Sequence, residues 1–303
     1  MKNNKLYEQF KDLSQDELYK SLLKAAEKGD LEVIQYLLEN KDLKHKVSIS
    51  YINHSNPFIY ACNCGHLDII EYFVNSSDPQ GPGYCLEIIN RGLIQACIKG
   101  NNEVIKFLLS SPKLKNHADI NADKGTPLYL LVSDGDLDII RYLLSSPDLK
   151  NHADINAIDG SILVEACGQG HLEVVKYLLT SPELKEHANI SAQNNMPFKK
   201  ACMEGHLEIV KYLVTNPEFE NKINLKKRAS SYFKDALMCG QLNVINYFIF
   251  DLNINKTKTI QHFLEKNPNE KVENWFTLRE VNKSLNKDLP QNSVLQKKNK
   301  NKI

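Results

Sequence analysis

GTPLYLLVSDGDLDIIRYLLSSPDLKNHADIN, residues Gly125 to Asn156, is a unit that this chain repeats. Its central glycine, Gly135, has counterparts at Gly29, Gly65, Gly100, Gly170, Gly205 and Gly240, one step of 36 residues followed by five of 35. A fixed period in this range marks a solenoid, in which each supersecondary unit leaves an apolar face that only its neighbour covers. Seven copies are expected, and in such an array the 303 residues set the number of copies rather than of domains.

Each copy reads as two short helices on either side of its glycine. Ala25, Ala61, Ala96, Ala166, Ala201 and Ala236 stand four residues before it, with Leu131 the exception. A small side chain there lets neighbouring first helices approach closely. After the glycine, Leu137, Ile139, Ile140, Leu143 and Leu144 form an apolar stripe of helical period, matched by Leu172, Val174, Val175, Leu178 and Leu179, so the second helix is amphipathic. An aromatic follows every glycine by seven residues (Tyr36, Tyr72, Phe107, Tyr142, Tyr177, Tyr212, Tyr247), a spacing that suits packing between copies rather than a ligand box.

Gly125-Thr126-Pro127-Leu128-Tyr129, Gly135-Asp136-Leu137, Leu143-Leu144 and Ala153-Asp154-Ile155-Asn156 resemble the ankyrin repeat. Gly65-His66, Gly170-His171 and Gly205-His206 match the glycine-histidine pair that often opens the family's second helix. The resemblance covers roughly residues 20 to 255. It implies an all-α dominated solenoid of stacked helix-turn-helix units with short hairpin-like loops, capped by helices at both ends.

Four segments are expected. Residues 1–19 form an N-terminal capping region, with Leu6, Tyr7, Phe10 and Leu13 at helical spacing and a Ser14-x-x-Glu17 capping box that starts a helix near Gln15. Residues 20–255 are the repeat domain. Residues 256–289 form a helical cap, one helix over Thr257–Lys266 and a second from Asn274 that carries Trp275, Leu278, Val281 and Leu285 on one face. Residues 290–303 are a disordered basic tail.

The copies depart from the family in two ways. The histidine expected after Thr-Pro-Leu is replaced by Leu23, Ile59, Ile94, Tyr129, Val164, Lys199 and Lys234. A proline-containing link, residues 110–117 with relatives at 145–152 and 180–187, is inserted after the second helix; proline should end that helix, and the hairpin finger is shortened to compensate. Asp78-Pro79-Gln80-Gly81-Pro82-Gly83 is a turn-rich interruption between copies two and three.

No catalytic, cofactor-binding or metal-binding residues are expected, and the chain does not read as an enzyme. Cys62, Cys97, Cys167 and Cys202 stand three residues before their glycines, on helices too far apart for an unstrained disulfide, so they read as core thiols in a reducing compartment. Cys64, Cys85 and Cys239 are the accessible ones. Cys62-Asn63-Cys64-Gly65-His66 lacks convergent zinc spacing. Asp154 to Glu165 lacks the glycine of a calcium loop. His117, His152 and His187 read as partners of nearby backbone rather than as a pH-sensing ladder.

The resemblance implies a protein partner held on the concave face made by first helices and on the hairpin tips. The candidates on the helices are Asn63, Cys64, Ile98, Lys99, Ser133, Asp134, Gln169, Met203, Glu204 and Met238; those at the tips are Asp123, Lys124, Asp159, Asn194, Asn195, Lys226, Lys227 and Arg228. A net charge of +1 gives no general pull toward nucleic acid, though the basic trio and the lysine tail offer an alternative reading as an adaptor for nucleic acid or an anionic surface. No apolar run is long enough to span a bilayer and no signal-peptide core follows Met1, so the expected form is a cytoplasmic monomer. Arrays with such a proline-containing link also resemble those of intracellular bacteria and amoeba-associated organisms, a resemblance that implies delivery into a host cell as an effector.

Overall fold

The computed structural model describes residues 2–43, 56–75, 85–254, 257–267 and 269–288. The expected turn-rich interruption at 78–83 and the tail from 290 lie outside them. Among the described residues no strand occurs.

The helices are α1 (Lys2–Phe10), α2 (Gln15–Lys28), α3 (Leu31–Glu39), α4 (Pro57–Cys64), α5 (Leu67–Asn75), α6 (Leu86–Ile98), α7 (Asn102–Ser110), α8 (Ala122–Asp134) and α9 (Leu137–Ser145). They continue with α10 (Ala157–Gln169), α11 (Leu172–Thr180), α12 (Ala192–Glu204), α13 (Leu207–Thr215), α14 (Glu220–Ile223), α15 (Leu225–Met238), α16 (Leu242–Asn246), α17 (Thr257–Lys266) and α18 (Glu270–Asp288). A π-helical turn, Tyr247–Asp251, follows α16 directly. The chain divides into two compact units, Met1–Asn194 and Asn195–Ile303.

Local chemistry sets the helix ends where the sequence places them. Ser14 and Glu17 form the capping box, and α2 starts at Gln15. α7, α9 and α11 stop at Ser110, Ser145 and Thr180, and the next residue is extended because a proline follows it.

In the first unit, Ile34, Leu37, Phe58, Ile69, Ile70, Leu93, Ile105, Ile140 and Leu163 are fully enclosed or nearly so, each worth about 1.5–3 kcal/mol of burial. Tyrosines seven residues past the glycine add hydroxyl contacts to the copy before: Tyr72 donates to Glu39 at 3.0 Å, Tyr142 to Ser110 at 2.9 Å, and Tyr177 meets Ser145 at 3.1 Å. Alanine is not the smallest device at work. Gly92 of α6 lies against α4 so closely that a Cβ would fall 2.8 Å from the Phe58 ring and 2.9 Å from the Cys62 sulfur.

The link and finger replace a hairpin with side-chain bonds. His117, His152 and His187 each bond through Nε2 to the carbonyl of Ser111, Ser146 and Ser181 at 2.9–3.0 Å, closing their own links as expected. Leu114, Leu149 and Leu184 anchor these links in the core, and Ala118, Ile120 and Ala122 are buried alternately along the finger. The carboxamide of Asn90, on α6, accepts from the backbone N–H of Asp119 at 2.7 Å, and those of Asn121 and Asn156 act as rungs between successive fingers, their oxygens accepting from the backbone N–H of Asp154 and Asn189 at 2.8 and 2.9 Å. Asn121 and Asn156 also donate to the carbonyls of His152 and His187. Asn156→Ala is expected to lower stability by about 1–2 kcal/mol in urea denaturation, because the rung disappears while the packing stays.

The finger tips are tight left-handed turns rather than hairpins. Asp123-Lys124-Gly125, Ile158-Asp159-Gly160 and Gln193-Asn194-Asn195 each have three consecutive residues with positive φ.

In the second unit, Phe198 and Tyr232 are fully buried with ring centroids 4.7 Å apart, and Phe233 and Phe248 extend that core. At the end of the chain, α17 and α18 bury Ile260 and Val272, and the Asn269 side chain lies beside Gly240. The face expected to pack is partly turned outward: Leu278 and Val281 are 64% and 47% exposed, because α18 docks through Val272 instead. The Leu285 side chain is outside the described residues.

Candidate partner-binding surface

The first helices of the first unit, α2, α4, α6, α8 and α10, present one turn after another of polar side chains. Between α4 and α6 is a pocket lined by Ile59, Tyr60, Asn63, Arg91, Ile94 and Gln95. Beyond it Ile98 is 45% exposed and Lys99 is exposed. Between α8 and α10 the Glu165 carboxylate gathers donors: the Tyr129 hydroxyl at 2.7 Å, the Ser133 hydroxyl at 2.9 Å and the Gln169 amide at 2.9 Å. That bond to Glu165, aided by burial, raises the Tyr129 phenol above its ordinary range, so it remains a donor at neutral pH. Tyr129 occupies the place of the family's histidine, and here the position reaches forward to the next copy.

In four of the copies the residue after the glycine ties its helix pair to the copy before. The His66 ring bonds the Glu27 carbonyl at 3.0 Å, Asn101 donates to the carbonyls of Cys62 and Asn63 at 2.9 Å, and the His171 ring bonds the Ser133 carbonyl at 2.9 Å. In the second unit Gln241 donates to the Met203 carbonyl at 2.9 Å. These side chains cross directly over the glycine of the copy before. At Gly135, where φ is +79°, an added Cβ would collide with the His171 ring. Gly100 is the contrast: φ is +64°, but nothing lies within 4 Å of the place a Cβ would take. The residue 36 places on is Asp136, an acceptor that caps α9 and receives a bond from Asn102 at 2.7 Å instead of reaching a carbonyl.

The tips place Asp123, Lys124, Asp159 and Asn194 in solvent, and Ile158, a β-branched residue at φ 53°, is 39% exposed beside them. Gly125 and Gly160 turn inward against Ala157 and Ala192. Asn195 stands at the equivalent place and is a correction to the candidate set. It is 5% exposed, and its amide donates to the Tyr232 hydroxyl at 3.0 Å and to the Lys222 carbonyl at 3.1 Å. Polar burial here is offset by hydrogen bonding inside the core rather than by a partner.

Lys226, Lys227 and Arg228 are also corrected: they belong to the first turn of α15, not to a tip. Lys226 lies 3.7 Å from Glu220. In the second unit Met238 is 63% exposed and Cys239 is exposed, Met203 is half-buried, and Glu204 pairs with Lys200 at 3.2 Å. In the first unit Asn63, Cys64, Ser133 and Gln169 keep part of their surface, and Asp134 is exposed.

The cysteines divide as the helix register requires. Cys62, Cys97, Cys167 and Cys202 are buried, Cys64 and Cys85 are half-buried, and Cys239 is exposed. Burial, with a smaller contribution from Asp134, pushes the Cys97 thiol up to about 12, and burial alone raises Cys62 and Cys167. A thiol reagent at pH 8 is expected to label Cys239 fastest, Cys64 and Cys85 more slowly, and the other four only on unfolding. An unfolded chain releases thiol protons near pH 8.5 while the folded core retains them. Stability present below that value should therefore fall as pH climbs toward 12, by up to about 1.4 kcal/mol per unit for each such thiol, which urea midpoints at pH 8 and 10 would read.

Profiles of ankyrin repeats, each describing three copies, match residues 6–82, 22–111, 93–194 and 163–260. The chain belongs to the ankyrin repeat family. A protein of Rickettsia bellii (strain RML369-C) described as an ankyrin repeat protein is 30% identical over 88 residues, which is 29% of this chain and 22% of that relative. The match thus spans about a fifth of the relative's length.

Ankyrin repeats are generally protein–protein interaction modules, and in this chain packing leaves side chains of the first helices and finger tips accessible. The structure adds Tyr60, Arg91, Gln95, Tyr129 and Glu165 to the residues read from the sequence. Gln95, Tyr60, Tyr129 and Glu165 stand one helical turn before Lys99, Cys64, Ser133 and Gln169, so the i, i+4 spacing of a first helix could have located them. No helix is long and apolar enough to cross a membrane among the described residues.

Proposed function

We propose that this ankyrin array is a non-enzymatic module that binds a protein partner through its first-helix faces and finger tips. The observation that carries the reading is the exposure of Ile98 and Met238, 45% and 63%, at the ends of first helices, beside the polar Gln95 and Lys99 in one and Lys234 and Asp235 in the other. Apolar side chains set among polar ones are the usual anchors of a protein contact. The positions around them change from copy to copy while the core repeats, as a specific surface on a regular frame requires.

Tagged protein used as bait in lysates of the source cell and of a host cell, with quantitative mass spectrometry, tests this reading. A protein captured by the wild type and lost with Ile98→Glu or Met238→Glu supports it; equal capture by the variants sinks this face. A partner found only in the host lysate would support delivery into a host cell, and one found only in the source lysate would support a cytoplasmic adaptor. Met203 is unsuitable for the test because it is half-buried. For the alternative recruitment to nucleic acid or an anionic surface, Lys226 and Lys227 of the basic trio and Lys124 at a tip are exposed, Arg228 is half-buried, and the lysine tail lies outside the described residues.

A further inference from the structure

We propose that the open notch above Gly100, at the end of α6, receives an arginine or lysine side chain of a partner peptide that sets an apolar residue against Ile98. The inference rests on the first-helix face being the binding surface and names the chemistry of what binds there.

The array fills the same place with donors of its own in four other copies. A side chain of the following copy crosses the glycine and bonds the carbonyl two residues before it: His66 to Glu27, Asn101 to Asn63, His171 to Ser133 and Gln241 to Met203, at 2.9–3.0 Å. A carbonyl only accepts, so each crossing group donates. At Gly100 the residue in that register is Asp136, whose carboxylate has no proton to give. It serves the N–H groups of Asp138 and Ile139 and the Asn102 amide instead.

The carbonyl left behind is that of Ile98, the last residue of α6. The N–H groups of Lys99, Gly100, Asn101 and Asn102 go to Gln95, Cys97, Ala96 and Gly100, and no donor reaches the Ile98 carbonyl among the described residues. Gly100 is exposed, whereas the six equivalent glycines are buried or half-buried. The residues that bound the notch, 97–103 and 133–139, are all described, and the segment 76–84 joins α6 at its opposite end.

The local charges select a cationic donor over a neutral one. Asp134 is exposed and close enough to α6 to act on the Cys97 thiol, and Asp136 remains ionised beside it. Lys99 opposes these two, while Glu103 of α7 stands 3.8 Å from Lys106. The enclosed Oδ1 of Asn102 also has no donor, so acceptors are in surplus at this junction. A guanidinium carries enough N–H groups to meet a carbonyl and a carboxylate together. Ile98, 45% exposed, gives the neighbouring apolar residue a surface to lie on.

The test uses the full chain against a phage-displayed library of random 12-residue peptides. Winners should be enriched in Arg or Lys adjacent to Leu, Ile or Phe. Replacing the basic residue of a winner with Gln should weaken binding at least about tenfold. Asp136→His supplies the crossing imidazole that Gly135 already meets in His171, and should weaken the same winners as much; α11 starts behind His171 without a side-chain cap, so α9 should tolerate the change. Selection against Asp134→Lys, a change at an exposed site, should turn toward Asp and Glu, a reversal that misfolding cannot produce. Winners without basic enrichment, or an empty selection, would overturn the proposal. Winners that Ile98→Ser abolishes but Asp136→His and Asp134→Lys leave unchanged would sink the notch and spare the face. Winners indifferent to all three would sink both.

Discussion

Gly135→Ala is expected to destabilise the chain by about 2–4 kcal/mol, whereas Gly100→Ala should cost only about 1. Both glycines have positive φ, +79° and +64°, so an alanine pays the same order of backbone strain at either place. What differs is the next copy. At Gly135 the new methyl group must displace the His171 ring, and with it the bond to the Ser133 carbonyl at 2.9 Å. At Gly100 there is open space. Urea denaturation of the two variants measures the difference, which is the contribution of the crossing side chain rather than of the turn. Equal losses would mean that the glycine is kept for its backbone alone.

Phe198→Ala should cost about 3–5 kcal/mol in the second unit. Phe198 is fully enclosed and meets Tyr232 edge to face at 4.7 Å. Tyr232 is itself buried, and its hydroxyl donates to the Ile223 carbonyl at 3.0 Å while accepting from Asn195. Removing the ring opens a cavity beside a polar network that cannot collapse without breaking those bonds. Calorimetry and hydrogen exchange should show the loss centred on α12, α14 and α15. A loss below about 1 kcal/mol would mean that the site refills by rearrangement. In an array of stacked copies local loosening can precede global unfolding, so exchange is the sharper readout.

The helix pairs were legible because their chemistry is local and repeated. Ser14 and Glu17 set the start of α2, the residue before each link proline ends a second helix, and the apolar stripe after Gly135 selects the buried side of α9. The fingers were not. Three consecutive left-handed residues at Gln193-Asn194-Asn195 carry no glycine, and side-chain bonds hold the backbone there: Gln193 to the Ser161 hydroxyl, and Asn195 to the Tyr232 hydroxyl and the Lys222 carbonyl. That explanation depends on partners 27 to 37 residues away, which no local spacing reveals.

The site divides in the same way. Ile98 and Met238 are exposed as their register implies. Asn195 takes the third place of its tip, where Gly125 and Gly160 also turn inward, and its amide bonds the Tyr232 hydroxyl and the Lys222 carbonyl; Lys226 to Arg228 are helical because Asn224 already makes the left-handed turn before them. Arg91 and Gln95 gain meaning only once α4 stands opposite α6, a pairing fixed by Gly92.

The most direct measurement is hydrogen exchange of the array with and without the captured partner, read peptide by peptide. The account expects new protection on the ends of α4, α6, α8 and α10 in the first unit and of α15 in the second, with α5, α7, α9 and α11 unchanged. Protection confined to those second helices would contradict it.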